Sequence, residues 1–122
     1  MTNEERVKEF MAKAEQPIPK NPSWPGDYIV ALRLDLIREE LSELNEAILF
    51  GSTEAVADAI ADMLYVIYGT GIAFGIPVQK VFEEVHRSNM TKFIDGHKDK
   101  NGKWIKGPSW SPPNLKPLLK NG

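Results

Sequence analysis

The chain has 122 residues, of which 42% are hydrophobic and 26% charged, values typical of one soluble globular domain. Its formal net charge of −2 argues against a general nucleic-acid binder, which usually carries a basic excess. The lack of cysteine excludes disulfides, thiol catalysis and cysteine-ligated zinc. The charged N-terminus lacks a signal-peptide apolar segment, and no apolar run approaches the roughly 20 residues that span a bilayer. We therefore expect a cytoplasmic protein with no membrane partner.

Helical periodicity alternates with proline and glycine breaks along the chain. Apolar residues at i, i+3 and i+4 predict a first helix over about 3–14, and four prolines then delay the next helix until Asp27, an N-cap candidate. The second predicted helix covers 28–50 and ends at a glycine. A third covers about 53–74, and a fourth, with proline in its first turn, covers about 77–92.

The C-terminal part has a different pattern. Asp-Gly and Asn-Gly pairs indicate turns, Trp104-Ile105 is a short β-prone pair, and four prolines predict that the last fifteen residues are extended. Together the elements predict an all-α helical bundle in a single domain over 1–122, with its core at about 22–94 and a Pro-rich tail at 95–122. The second and third helices are apolar over arcs too wide for one short bundle to cover. We therefore expect oligomerisation to complete a four-helix-type core.

Two of these helices carry carboxylates where apolar side chains belong. At about 100° per residue, Glu40 falls in the middle of the second helix's apolar stripe, with Glu43 at its edge and Arg33 in the same direction. Asp58 and Asp62 share a face of the third helix with small apolar residues, although aspartate is a poor helix-interior residue. Buried carboxylates repel one another, and an all-oxygen ligand set favours Mg²⁺ or Mn²⁺ over Zn²⁺. For the two glutamates alone, a solvated face paired with arginines explains the pattern equally well.

Other polar residues extend this interpretation. Tyr65 lies on the flank of the third helix's acidic face, and Asn89 continues the apolar stripe of the fourth helix, with Lys92 one turn later. An amide and an ammonium group suit a polyphosphate next to metal-bound carboxylates. Asn and Lys are also favoured at any helix C-terminus, so a purely structural role explains them too. Four aromatic residues are candidates for stacking on a base or for packing: Trp24, Tyr28, Trp104 and Trp110.

Taken together, these motifs resemble the MazG-like branch of the all-α NTP pyrophosphohydrolases, a superfamily that includes dimeric dUTPases and phosphoribosyl-ATP pyrophosphohydrolases. The resemblance covers nearly everything from about position 22 onward and rests on the segments RLDLIREELSEL, DAIADMLYVIYG, EVHRSNMTK and GKWIKGP. Glu40 and Glu43 match the family's E-x-x-E metal ligands, and Asp62 matches the aspartate of its E-x-x-D. Position 59 holds Ala instead of Glu, so we expect Asp58 to serve in its place.

The resemblance implies hydrolysis of a (deoxy)nucleoside triphosphate to the monophosphate and pyrophosphate by a metal-activated water, with Mg²⁺ as cofactor and Mn²⁺ able to substitute. Glu39 or Glu40 would accept the proton. The implied metal ligands are Glu40, Glu43, Asp58 and Asp62. The implied substrate-binding residues are Arg33, Tyr65, Asn89, Lys92 and Lys106.

Similar proteins form homodimers or dimers of dimers, so we expect self-association and no polymeric nucleic acid as partner. The base is open, with purines such as dGTP or GTP possible, and the expected role is nucleotide-pool control or housecleaning. One alternative is a phosphoribosyl-ATP pyrophosphohydrolase. The other is a catalytically silent nucleotide-binding or assembly module, an alternative that the missing Glu at position 59 favours.

Overall fold

The computed structural model describes residues 1–120, and the predicted all-α fold is confirmed. The elements in chain order are α1 (Asn3–Lys13), α2 (Asp27–Phe50), α3 (Thr53–Ala73), α4 (Val78–Met90), the one-turn α5 (Lys92–Asp95), β1 (His97–Lys98), β2 (Trp104–Ile105) and a 3₁₀ turn (Lys116–Leu118). They form two compact units, unit 1 (Met1–Ile76) and unit 2 (Pro77–Lys120). The single domain over 1–122 stays a prediction, and its last two residues lie outside the described part.

Helix α1 begins with a capping box. The Thr2 hydroxyl accepts a hydrogen bond from the Glu5 amide at 3.1 Å, and the Glu5 carboxylate accepts one from the Thr2 amide at 2.9 Å. Two amides at the start of the helix thereby gain acceptors. Further along, Val7 and Met11 are buried and pack with Ile72 of α3 in the hydrophobic core of unit 1. These contacts fix α1 against α3.

Helices α2 and α3 form an antiparallel hairpin with a tight turn. A Cβ on Gly51, in the turn, would lie 2.8 Å from the Ala47 carbonyl oxygen and 3.1 Å from Ala55 Cβ, so the close approach requires glycine. The Ser52 hydroxyl caps α3 by accepting a hydrogen bond from the Ala55 amide at 3.2 Å. At the other end, α2 begins at Asp27 itself with Gly26 as N-cap, one residue earlier than predicted.

The interface between α2 and α3 has a regular register. Opposite pairs recur every seven residues along both helices, namely Arg33 with Gly69, Glu40 with Asp62, and Ala47 with Ala55. Because seven residues make almost two turns, all three pairs lie along one line of the hairpin. Small residues on this line bring the two backbones close together, and Ala47 and Gly69 are buried.

Unit 2 joins α4 to the C-terminal segment through polar contacts. Helix α4 ends at Met90, two residues earlier than predicted, since the Thr91 hydroxyl donates to the Ser88 carbonyl (2.7 Å) and accepts from the Ser111 amide (2.8 Å). Arg87 donates to the Pro112 carbonyl at 3.1 Å. A turn at 108–109 and the 3₁₀ turn interrupt the tail, so its predicted fully extended course is not confirmed.

The sequence interpretation underestimated the apolar character of α3. Among the described residues, this one helix is long and apolar enough to cross a bilayer by length and composition, with a mean hydropathy of 1.3 over its best window. A core helix of a soluble protein meets the same two conditions. Helix α3 also carries Asp58 and Asp62, and aspartate within a bilayer is costly. Cytoplasmic localisation stays a prediction.

Candidate metal centre

Three carboxylates meet at the middle of the α2–α3 hairpin. Glu40 and Glu43 of α2 and Asp62 of α3 each place one oxygen within 4.8 Å of the others. The first two are neighbours on one helix face because they are three residues apart, and the register of the hairpin puts Asp62 opposite Glu40. The structure thus brings together three of the four residues that the sequence singled out as metal ligands.

The three carboxylates of this cluster lie too close together for all of them to be ionised without a cost in free energy. Partial burial raises the pKa of Glu40, and the nearby charges of Glu43 and Asp62 raise it further, because each factor disfavours the ionised form. Oxygen Oε2 of Glu40 is inaccessible to solvent and has no hydrogen-bond partner among the described residues. A buried carboxylate oxygen without a donor is costly unless a proton or a cation neutralises it.

The donor set matches a hard divalent cation. All three candidate ligands are carboxylates, which Mg²⁺ and Mn²⁺ prefer, and the unpartnered oxygen of Glu40 supplies a coordination position that no protein group competes for. A bound cation would also stabilise the ionised form of Glu40 and so offset the effect of burial on its pKa. The residues present therefore fit Mg²⁺ or Mn²⁺.

The fourth predicted ligand, Asp58, lies elsewhere. It is exposed, and its carboxylate is not in the group of three. The register explains why: position 59 lies opposite Glu43, and it holds a buried alanine, whereas Asp58 is rotated by about 100° on the helix. Asp58 instead lines an open pocket of about 400 Å³, together with Glu43 and Ala59. Metal ligation by Asp58 in place of the missing glutamate stays a prediction that this geometry does not support.

Arg33 connects the two helices. It is 7% exposed, its Nε donates to the Thr70 hydroxyl at 3.2 Å, and its Nη2 donates to the Val66 carbonyl at 2.9 Å. Burial lowers its pKa. A Cβ on Gly69 would lie 3.2 Å from Arg33 Cζ and closer still to Nη2, so this glycine makes room for the guanidinium. The burial of Arg33 does not support its predicted contact with substrate. Instead, Arg33 of α2 is bonded to Thr70 and Val66 of α3 and forms a clamp between the two helices, two turns from Glu40.

Two more residues from the sequence interpretation lie in unit 1. Glu39 is exposed beside Glu40, and its charge is among those that raise the Glu40 pKa. Tyr65 packs edge-to-face on Phe10 of α1, with ring centroids 5.5 Å apart. Its role in substrate binding stays a prediction, because the ring has a packing partner on the α1 side of α3.

The other predicted substrate residues belong to unit 2. Asn89 is exposed in the last turn of α4, and Lys92 begins the separate helix α5 instead of continuing the α4 stripe. The ammonium group of Lys106 lies 3.9 Å above the ring of Trp110. Substrate contacts by these three residues stay predictions.

Sequence reasoning missed the partners of Arg33. Gly69 was interpreted only as one of the small residues on the acidic face of the third helix, and Thr70 was not singled out. Arg33 and Glu40 nevertheless have the same seven-residue separation as Gly69 and Asp62. That matching interval was the available signal, because residues paired across an antiparallel hairpin recur with the same period on both helices.

An all-α hairpin that presents clustered carboxylates from two helices defines a class of protein suited to hard divalent cations. The chain belongs to the phosphoribosyl-ATP pyrophosphohydrolase family, whose model matches residues 7–89. This membership confirms the predicted MazG-like all-α NTP pyrophosphohydrolase superfamily.

A viral relative is also similar. An uncharacterized protein of Acanthamoeba polyphaga mimivirus is 41% identical over 66 residues, which cover 52% of this chain and 26% of that protein. The chain thus matches about a quarter of the length of this relative.

Proposed function

We propose that the protein is a Mg²⁺-dependent hydrolase that converts a (deoxy)nucleoside triphosphate into the monophosphate and pyrophosphate. The observation that carries the proposal is the convergence of Glu40, Glu43 and Asp62, with one buried oxygen that lacks a partner. Family membership supports the choice of a phosphoanhydride as the bond that is cleaved. Mn²⁺ would substitute for Mg²⁺, because both are hard cations that bind carboxylates.

The three carboxylates would hold the cation, and the clamp between Arg33 and α3 would keep their helices in register. A bound Mg²⁺ would lower the pKa of water and neutralise charge on the phosphates. Glu39 is exposed next to the cluster, and we assign it as the acceptor of the proton that the attacking water loses. The water oxygen would form the new bond to the α-phosphorus, and pyrophosphate would leave with the electrons of the broken P–O bond.

Product analysis tests the proposed reaction. Incubation with each NTP and dNTP plus Mg²⁺, followed by ion-exchange separation, should give monophosphate and pyrophosphate in equal amounts. Asp62→Asn removes one charge from the cluster with little change in shape, so it should abolish turnover. If neither Mg²⁺ nor Mn²⁺ supports turnover of any nucleotide, the hydrolase proposal fails and a silent nucleotide-binding module replaces it.

Two Glu→Gln variants distinguish the role of a metal ligand from the role of a general base. In Glu40→Gln, the cluster loses a ligand, so the Mg²⁺ concentration for half-maximal activity should rise strongly. In Glu39→Gln, Mg²⁺ dependence should be unchanged while kcat falls by roughly 10²-fold or more, as expected for loss of a general base. Undiminished kcat in Glu39→Gln would contradict its assignment and leave Glu40 as the candidate.

Phosphoribosyl-ATP is a second candidate substrate, because the matching family is described by it. It carries the same triphosphate, so the same cluster would serve. A direct comparison of kcat/KM for phosphoribosyl-ATP and the NTPs, dGTP and GTP included, decides between the two. A preference for phosphoribosyl-ATP would assign the protein to histidine synthesis instead of nucleotide-pool control.

We also propose that the protein self-associates in the cytoplasm as a homodimer or dimer of dimers. Large apolar side chains of α2 and α3 lie on the surface of the single chain, among them Leu41, Ile48, Phe50 and Leu64. Apolar patches of this kind usually mark an interface. Light scattering coupled to gel filtration should give a multiple of 13.7 kDa, and Ile48→Glu should shift it to the monomer. A monomeric parent protein would contradict the proposal.

A further inference from the structure

The net charge of the chain is small because an acidic N-terminal segment and a basic C-terminal segment nearly cancel. Residues 1–76 contain thirteen acidic and six basic side chains, a formal charge of −7. Residues 92–120 contain seven lysines and two aspartates, a formal charge of +5. A segment this basic attracts anions even though the whole chain is slightly acidic.

The lysines concentrate on a hairpin over 97–106. Strands β1 and β2 pair antiparallel, with Lys98 opposite Trp104. The turn between them is held by Asp99, whose carboxylate accepts hydrogen bonds from the amides of Asn101 (2.8 Å) and Lys103 (2.9 Å). Gly102 adopts a φ of 84°, which suits glycine in the turn. The hairpin is therefore a defined element and not a loose lysine-rich loop.

One face of this hairpin carries two lysines and an aromatic ring. Lys98 lies directly opposite Trp104, so both side chains project from one side of the hairpin. Lys106 directly follows β2, two residues after Trp104, and an extended continuation of the strand places its side chain on that side as well. Diagonal neighbours on such a face are about 7–8 Å apart, a separation that one phosphate chain spans. Phe93 supports Trp104 edge-to-face at 4.7 Å. The Lys106 ammonium group lies 3.9 Å above the Trp110 ring, which restricts its movement.

This face has donors in excess of acceptors. Among residues 1–120, neither Lys98 nor Lys106 makes an ion pair. The acids of this segment have other partners, because Asp99 holds the turn and Asp95 accepts from the amide and hydroxyl of Ser109. An added anion would therefore meet positive charge that no carboxylate of the hairpin neutralises.

We propose that the face formed by Lys98, Trp104 and Lys106 binds the phosphate chain of a nucleotide, independently of the metal cluster. The choice of a nucleotide over other polyanions rests on the proposed function. The two ammonium groups contact phosphate oxygens, and the restricted position of Lys106 reduces the entropy lost on binding. Trp104 and Trp110 lie beside the bound phosphates and report on them.

Tryptophan emission tests this site directly. The chain has three tryptophans, and Trp24→Phe leaves only the two of the hairpin segment as reporters. This variant is titrated in EDTA with inorganic tripolyphosphate and with a non-hydrolysable nucleoside triphosphate. We expect a saturable change in emission with both probes. Chelation removes any cation from the acidic cluster, so that cluster repels the probes and contributes no binding.

Matched variants distinguish a site from a general charge effect. Replacing Lys98 and Lys106 with alanine should weaken binding by roughly tenfold or more, since two charge-assisted contacts are lost. Replacing both with arginine should preserve binding. The control, Lys8→Ala with Lys13→Ala in α1, removes the same charge from unit 1 and should leave binding unchanged. Circular dichroism of each variant verifies that the fold is retained.

Several outcomes would overturn the inference. The absence of a saturable change, or equal weakening in the α1 control, would show that there is no specific site. Tighter binding of a single-stranded oligonucleotide, with the same loss on alanine substitution, would make the ligand a polymer. Because binding is measured without metal, the result is separate from the hydrolase assay: binding without turnover refutes only the proposed reaction, and turnover without binding refutes only this site.

Discussion

Gly69→Ala perturbs the point where the Arg33 side chain of α2 packs against α3. The new Cβ would lie 3.2 Å from Arg33 Cζ and closer to Nη2, and the guanidinium is buried, with 7% of the residue exposed. Either the contact is tolerated as overpacking, which costs about 1–3 kcal/mol, or Arg33 moves and loses its bonds to Thr70 and Val66, at about 1.5–3 kcal/mol for a charged donor. The higher helix propensity of alanine offsets about 1 kcal/mol. We expect a net loss of about 0–2 kcal/mol.

The same substitution should have the opposite sign once Arg33 is replaced. In an Arg33→Met background the flexible side chain leaves room for the methyl group, so Gly69→Ala should stabilise by up to about 1 kcal/mol. Urea unfolding of the four proteins at one fixed concentration gives the coupling energy, expected near 2 kcal/mol. Equal destabilisation by Gly69→Ala in both backgrounds would refute the packing of the Arg33 clamp against Gly69.

Other predictions follow from the cluster, the tail and the first helix. Ala59→Glu adds a fourth carboxylate opposite Glu43, so Mn²⁺ affinity should rise while the metal-free protein loses stability. The neutral Ala59→Gln is the control. Unchanged Mn²⁺ affinity in Ala59→Glu would contradict the register between α2 and α3. Hydrogen bonds from Arg87 and the Asn114 amide lower the Glu84 pKa from 4.5 to about 2. An acid whose pKa is lower in the folded than in the unfolded state stabilises the fold at pH values above its unfolded pKa. The contribution of Glu84 to stability should therefore disappear as pH falls from about 4.5 to about 2. Protease sensitivity of the tail should rise over that window in the parent protein, and an identical profile in Glu84→Gln would exclude this cause. Thr2→Ala should cost about 0.5–2 kcal/mol of stability by urea unfolding, with Thr2→Ser as the conservative control.

Much of the first unit could be predicted from local pattern. The helix spans of α1, α2 and α3 agree with the prediction to within one residue at every end. Apolar periodicity and turn glycines act over a few residues and are visible in the sequence. The acids Glu40, Glu43 and Asp62 were found for the same reason, because each lies on a face whose other members are apolar.

The site assignments that the structure does not support have a common physical origin in contacts between distant residues. Asp58 was expected to replace the missing glutamate since it shares a helix face with Asp62, but ligation depends on what lies opposite, and Ala59 faces Glu43 there. Arg33 was assigned to substrate because the sequence gives its direction and not its acceptors on α3. The end of α4 at Met90 depends on Thr91 and Ser111, twenty residues apart. No local propensity encodes such a pairing.

The seven-residue interval has a consequence for changes in chain length. One extra residue between Arg33 and Glu40 would leave the clamp in place and rotate Glu40 by about 100°, away from Asp62. Seven extra residues in each helix, inserted between the clamp and the acids, would lengthen the hairpin by about 10 Å and keep the three acids together. We therefore expect relatives that share this site to vary in side chains along the hairpin but to change its length only by matched insertions of two turns in both helices.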